Sequence, residues 1–153
     1  MAAKRVLRYL AGTVRMGLVY TSTDLPLLGY SNADWGGDLV GRKSYSGYAF
    51  LMSGAAVTWK SQKQRSVALS STEAEYVSLS EAVKEALHLR SLLMEIKLDE
   101  LADLTICIDN RGAQYLANDP MVADVLTKAL PRVSHERCTR DLGLEMIEDN
   151  PST

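Results

Sequence analysis

The stretch SVALSSTEAEYVSLSEAVKEALHLRSLL, residues 66–93, decides the fold class, because it is the clearest helix in the chain. Ser70 and Glu73 have capping-box spacing, in which Ser70 caps the helix and Glu73 reaches back to the Ser70 amide. The helix should run to about Lys97, with an apolar stripe at helical spacing, made of Leu79, Ala82, Ala86, Leu89, Leu93 and Ile96. Glu75 stands one turn before this stripe, and a carboxylate there needs a partner because burying an unpaired charge is costly.

Short β-strands precede this helix. LLGYSNADW (27–35), YSGYAFLMSG (45–54) and AAVTWKS (55–61) are bounded by Gly, Asp and Ser turn residues, which predicts an antiparallel meander. A helix over residues 2–10 and a strand GLVYTS (17–22) come first, whereas a strand LTICIDN (104–110) and helical pieces follow. The predicted fold class is therefore α/β, a sheet with helices packed on it.

Composition limits the possible functions. The 153 residues suggest one domain, and the net charge of −2 means that nucleic-acid binding would need a local basic patch. Cys107 and Cys138 are far apart without a C-x-x-C pair, so we expect a reduced intracellular chain without a structural zinc site. No apolar run approaches the roughly 18 residues of a membrane span, and we expect no membrane association.

Four acids stand at the ends of predicted elements: Asp34, Glu75, Asp109 and Asp124. Functional sites of α/β sheets gather at the carboxyl ends of strands. Carboxylates that converge there repel one another unless a cation lies between them, and oxygen ligands without His or Cys favour Mg²⁺ or Mn²⁺. Two such ions would support phosphodiester cleavage.

Each acid also has a purely structural interpretation, which the residues alone leave open. Asp34 suits a turn before Gly36, and Glu75 suits the positive end of the helix dipole. Asp109 suits a helix cap, and Asp124 suits the surface.

Basic and amide side chains form a second candidate site, in WKSQKQRS (59–66) before the long helix and in the preceding turn. Side chains of this kind on loops suit phosphate and sugar contacts, and the candidates are Arg42, Lys43, Lys60, Gln62, Lys63 and Arg65. A solvated hairpin end is the alternative interpretation.

Long segments resemble the end of the polyprotein of copia-type LTR retrotransposons. They are AAKRVLRYLAGT, GYSNADWGGD, VTWKSQKQRSVALSSTEAEYVSLSEAVKEALHLRSLL, ICIDNRGAQYLANDP and ADVLTKALP, and the similarity runs from Ala2 to about Leu144. By this resemblance, residues 1–23 correspond to the tail of the reverse transcriptase region and residues 27–145 to the ribonuclease H domain, with a polar tail over 146–153.

The resemblance implies a ribonuclease H-like mixed sheet with an antiparallel meander and flanking helices. It also implies hydrolysis of RNA in an RNA–DNA hybrid with two Mg²⁺ (or Mn²⁺) ions, during reverse transcription. The site acids would be Asp34 or its neighbour Asn32, a possible weak ligand, with Glu75, Asp109 and Asp124. The partners would be the hybrid and other parts of the parent polyprotein, in a cytoplasmic particle or the nucleus.

Two departures from the family favour an alternative. Asn32 stands where ribonuclease H domains generally carry Asp, and only 15 positions separate Asp109 from Asp124. The short spacing predicts an internal deletion near residues 119–122 and an incomplete sheet. The alternative is a catalytically dead remnant, or a module that binds nucleic acid or a protein partner.

Overall fold

The computed structural model describes residues 2–23, 25–108, 124–127 and 130–147. The order begins with helix α1 (Ala2–Gly12) and strands β1 (Met16–Leu18), β2 (Leu27–Asp34), β3 (Tyr45–Met52) and β4 (Ala55–Lys63). Helix α2 (Ser71–Glu95), a 3₁₀ turn (Asp99–Leu101) and β5 (Leu104–Ile108) follow, and then α3 (Asp124–Thr127), α4 (Arg132–Asp141) and β6 (Leu144–Met146).

The main sheet has four strands in the order β4-β3-β2-β5. β2, β3 and β4 are antiparallel neighbours, as the predicted meander requires, and β5 adds to β2 in parallel. The long α2 supplies the crossover that a parallel pair needs. The predicted α/β class with a mixed sheet is therefore confirmed.

Helix α2 packs on one face of this sheet, against β2, β3 and β5. Small buried side chains, Ala74, Ser78, Ala82 and Ala86, let the helix lie close to the strands. The core of this face is built around Leu27, Tyr48, Phe50 and Leu93. The predicted stripe is wrong at its end, because Ile96 is the residue that ends the helix and its side chain is 55% exposed.

The opposite face is covered by α3 and by the region around Leu142. Ala49, Ala56 and Leu142 form its buried cluster, with Tyr30 and Leu126 among the side chains packed on it. A close contact between α3 and the sheet needs Gly47, because a Cβ there would lie 2.7 Å from Thr127 Cγ2.

A two-stranded antiparallel sheet joins the ends of the chain. Met16 pairs with Met146 and Leu18 with Leu144, so β1 and β6 are neighbours. The Tyr20 hydroxyl also donates to the Ala56 carbonyl at 2.8 Å. The segment assigned by resemblance to the reverse transcriptase tail thus contacts the rest of the fold, and its assignment stays a prediction.

Some local expectations need correction. Ser70 caps α2 as predicted, since its hydroxyl accepts from the Glu73 amide at 3.1 Å. Glu73, however, accepts from the amide of Leu69 rather than that of Ser70, at 2.6 Å. The predicted strand over residues 17–22 is shorter and lies at 16–18. Within the described ranges, no helix combines the length and the apolar character needed to cross a membrane.

Candidate functional site

A cavity of about 150 Å³ lies where β2 and β5 meet the first turns of α2. It is lined by Ser31, Asn32, Thr72, Glu75, Tyr76, Leu79 and Ile108. β2 and β5 are parallel, and Ser31 and Ile108 form the last pair between them. The cavity therefore lies toward the carboxyl ends of these strands, where open α/β sheets place their sites.

Asn32 lines this cavity from β2, but its side chain is directed away from α2. Its side chain is on the face of the sheet that α3 covers, and Nδ2 donates to the Thr127 hydroxyl at 3.2 Å. Oδ1 accepts from the backbone amide of Ala33 at 2.8 Å. Because the residue is only 5% exposed, these contacts hold the amide in one orientation.

Glu75 enters the cavity from the opposite side, on the second turn of α2, and is half-buried. One turn later, the buried Ser78 hydroxyl donates to the Asn32 carbonyl at 2.6 Å and lies 3.1 Å from the Ser31 hydroxyl. These hydrogen bonds fasten α2 to β2 beside the cavity. The position of Glu75 beside β2 therefore has a direct structural cause.

Asp34 lies farther along β2, about 6–7 Å beyond Asn32 by strand geometry. Its carboxylate is next to Gly37, where any Cβ would overlap Oδ2, and it does not line the cavity. Asn32 lines the cavity together with Glu75, whereas Asp34 does not. The role of Asp34 as a metal ligand stays a prediction.

The other two predicted acids cannot be placed with their side chains. Asp109 and the side chain of Asp124 lie outside the described residues, although Asp124 begins α3. Among the described side chains, no group of three or more His, Cys, Asp or Glu residues could hold a metal ion. Among the described residues that line the cavity, Glu75 is the one that carries a carboxylate.

Three of the six residues predicted to bind nucleic acid are instead bonded to acidic side chains of this chain. Lys60 and Gln62 both donate to Glu81 on α2, at 3.2 and 3.3 Å. Lys63 forms an ion pair with Asp38 at 2.5 Å, and this hydrogen bond is the main reason why the pKa of Asp38 is lowered and the pKa of Lys63 is raised. Because β4 extends to Lys63, these side chains lie on a strand and not in the predicted connection.

Arg42, Lys43 and Arg65 differ from that group. In the part of the chain that the structure describes, no carboxylate lies within salt-bridge distance of these three cations. Arg42 and Arg65 are exposed and Lys43 is half-buried. The basic patch that the sequence predicted is therefore divided into a neutralised part on β4 and an available part in the two loops.

Sequence reasoning missed the residues that hold the site in place. Gln64, in the segment expected to contact phosphate, is 3% exposed, and its Nε2 donates to the Ser46 hydroxyl and to the Ala74 carbonyl at 2.8 and 2.9 Å. Ser78 was also missed. The one sequence feature that could have indicated Ser78 is its small size and its position one turn before Ala82, on the buried side of the helix.

Comparison with known proteins gives relatives but no solved structure. A protein of Plasmopara viticola named Secreted RxLR effector protein 161 is 56% identical over 89 residues, which are 58% of this chain and 63% of the effector. The retrovirus-related Pol polyprotein from transposon TNT 1-94 of Nicotiana tabacum is 34% identical over 177 aligned positions, and the one from transposon RE2 of Arabidopsis thaliana is 34% identical over 178. No family model and no solved structure matches the chain.

The two polyprotein alignments cover 94% of this chain but only 13% and 12% of the polyproteins, so the chain spans a small part of their length. Both alignments are longer than the 153 residues of the chain, so each contains positions without a counterpart here. The internal deletion near residues 119–122 stays a prediction. The chain belongs to the family of copia-type retrotransposon Pol polyproteins, as the counterpart of a short segment of them.

Proposed function

We propose that this retrotransposon-derived chain is a ribonuclease H-like domain that acts on the RNA strand of RNA–DNA hybrids. The cavity between β2, β5 and α2 is the observation that carries the proposal, because it places Glu75 opposite β2 at the carboxyl end of the sheet. Ile108 lines the same cavity and is followed in sequence by Asp109. The mixed sheet with its meander is consistent with the fold that the sequence resemblance implies.

The cofactor in this proposal is a pair of Mg²⁺ or Mn²⁺ ions. The described residues alone do not make such a site, since Glu75 is the one carboxylate among the cavity residues. Asp109 and Asp124 would have to supply the other carboxylates, and Asn32 offers only a neutral oxygen. When bound, the ions would activate a water and stabilise the leaving oxygen of the scissile phosphate.

The hybrid is the proposed substrate because its RNA strand carries 2′-hydroxyl groups, which let a protein distinguish RNA from DNA. Cleavage would leave a 3′-hydroxyl on the RNA. Within the chain, Ser78 would position Glu75 by fastening α2 to the Asn32 carbonyl. The partners are the hybrid and, by relation to the Pol polyproteins, other parts of such a polyprotein.

A second candidate function is binding of the hybrid without hydrolysis. It is favoured by the identity of residue 32, because the β2 residue that lines the cavity with Glu75 is an asparagine, whereas the Asp34 carboxylate is next to Gly37. An amide cannot supply the negative charge that attracts a divalent cation. The choice between hydrolysis and binding alone therefore depends on the side-chain group of residue 32.

A cleavage assay separates them. A hybrid with labelled RNA is incubated with Mg²⁺ or Mn²⁺ and with the natural chain, Asn32→Asp, Asp34→Asn or Glu75→Gln. Hydrolysis should be weak for the natural chain, rise about tenfold or more in Asn32→Asp because a charged ligand is restored, and vanish in Glu75→Gln. Asp34→Asn should change the rate little, since that carboxylate is outside the cavity.

The outcomes are distinct. If neither the natural chain nor Asn32→Asp cuts the RNA, yet the hybrid binds in a salt-dependent manner, the binding function is the correct one. Absence of both cleavage and binding would overturn the whole proposal. Loss of cleavage in Asp34→Asn but not in Glu75→Gln would refute the assignment of the cavity.

A further inference from the structure

Two loops meet beside the cavity and form what we call the aromatic–basic corner, made of Trp35, Lys43 and Arg65. The Gln64 amide donates to the Ser44 carbonyl at 2.8 Å, just beyond the last paired residues of β3 and β4, so the segments that carry Lys43 and Arg65 lie side by side. The Gly36 amide donates to the Ser44 hydroxyl at 3.1 Å, which brings Trp35 to the same place. The three residues thus come from neighbouring segments that meet at Ser44.

We propose that the aromatic–basic corner binds a single-stranded stretch of nucleic acid, with one base stacked on Trp35 and phosphates at Lys43 and Arg65. Every base has a π-face, so stacking on an aromatic ring combined with cations suits strands of any sequence. An unpaired base is required, because a base inside a duplex is already stacked. The chemistry is shared by single-stranded DNA and RNA.

Trp35 is suited to this role because its ring is fixed yet accessible. Its indole nitrogen donates to the Ala68 carbonyl at 3.1 Å, and the side chain is still 53% exposed. A ring held by one edge loses little conformational freedom when a base stacks on it. An exposed tryptophan of this kind therefore provides a prepared surface.

The charges at this corner are available for phosphate. Lys43 and Arg65 have no salt-bridge acid in the described part of the chain, whereas Lys60 and Lys63 are paired with Glu81 and Asp38. The chain carries a net charge of −2, so a local patch must provide the attraction. The inference thus assigns phosphate binding to Lys43 and Arg65.

The corner is directly connected to the cavity. Gln64, which precedes Arg65, donates to the carbonyl of Ala74, and Ala74 precedes Glu75. A strand held at the corner would therefore run next to the cavity, as a single-stranded extension of the hybrid would. This placement rests on the proposed function, but binding at the corner needs neither a metal nor cleavage.

Tryptophan fluorescence tests the inference, because the chain contains only two tryptophans, Trp35 and Trp59. Trp59 is 56% exposed on β4 and is a matched control. The variant Trp59→Phe, with Trp35 as the sole fluorophore, should be quenched by a short oligothymidylate and by an oligouridylate. The variant Trp35→Phe should show no quenching, and a blunt duplex of equal length should quench neither.

Affinity measurements complete the test. Trp35→Ala should weaken oligothymidylate binding about tenfold, within the range that one stacked base contributes, whereas Trp59→Ala should not. Lys43→Gln with Arg65→Gln should reduce the slope of log affinity against log salt by about 1.4, the value for two phosphate contacts on a single strand. Lys60→Gln with Lys63→Gln makes the same change in net charge and should leave the slope unchanged.

Two results would overturn the inference. One is equal quenching of Trp35 and Trp59, and the other is an equal fall in slope for both pairs of charge substitutions. Thermal unfolding of each variant checks that the fold is kept, and Trp59→Phe keeps the test valid if Trp35→Ala does not fold. Quenching without cleavage of a hybrid would leave the corner intact and refute only the nuclease, whereas cleavage without quenching would refute only the corner.

Discussion

Replacing Ser78 by alanine tests how α2 is held beside the cavity. Ser78 is fully buried, and its hydroxyl donates to the Asn32 carbonyl at 2.6 Å and lies 3.1 Å from the Ser31 hydroxyl. The substitution removes a donor from Asn32 and leaves the Ser31 hydroxyl, 2% exposed, without this partner. Leaving a buried polar group unsatisfied costs about 1–3 kcal/mol, so we expect the free energy of unfolding to fall by about 2 kcal/mol.

Urea unfolding followed by circular dichroism measures this change, and the melting temperature should fall by about 4–8 °C for a chain of this size. Ser91→Ala is the matched control on the same helix, because its exposed hydroxyl donates to the Leu87 carbonyl at 2.9 Å. That substitution should be neutral or slightly stabilising, since alanine favours helix.

A double variant sharpens the test. Ser31→Ala combined with Ser78→Ala should cost less than the sum of the two single changes, because no orphaned hydroxyl remains. If Ser78→Ala costs no more than Ser91→Ala, the hydroxyl does not fasten α2 to β2, and the reasoning about the position of Glu75 is wrong.

Two further predictions concern the core of the α2 face. Gly29→Ala should lower the free energy of unfolding by about 1–3 kcal/mol through overpacking, because the new Cβ would lie 2.5 Å from the Phe50 ring. Gly12→Ala should not lower the free energy of unfolding, because no atom lies within 4 Å of the new Cβ. Equal melting temperatures for Gly29→Ala and Gly12→Ala would contradict this prediction. Burial, and then the charge of Glu85, raises the pKa of Tyr48 to about 12. The folded state therefore favours the neutral phenol, and this stabilisation, complete below the ordinary pKa of 10.0, should be lost as the pH rises from 10.0 to about 12. Tyr48→Phe should flatten that fall in urea-unfolding midpoints, and an unchanged slope would refute it.

The elements of the fold were largely predictable because they depend on local rules. The cap at Ser70, the period of the stripe through Ala82 and Leu93, and the turn residues between the strands all act over a few positions. Each therefore leaves a pattern that can be read directly from the chain. Ile96 was misplaced because the end of α2 depends on how the chain turns toward β5.

The candidate site was less predictable because it depends on contacts between distant residues. Asn32 and Asp34 share a face of β2, and alternation alone could not decide which would meet Glu75. Packing of α3 and α2 decided it by placing Thr127 and Ser78 against Asn32. Asn32 therefore lines the cavity, whereas Asp34 does not.

The order of helices and strands, the acids at their ends and the number of basic residues before α2 all follow from local patterns in the chain. Which of these charges are available depends on how the elements pack against one another. Lys60 and Lys63 look no different in sequence from Lys43 and Arg65, but Glu81 and Asp38 approach the first pair from other elements. An ion pair between distant residues depends on three-dimensional position, and no local pattern records it.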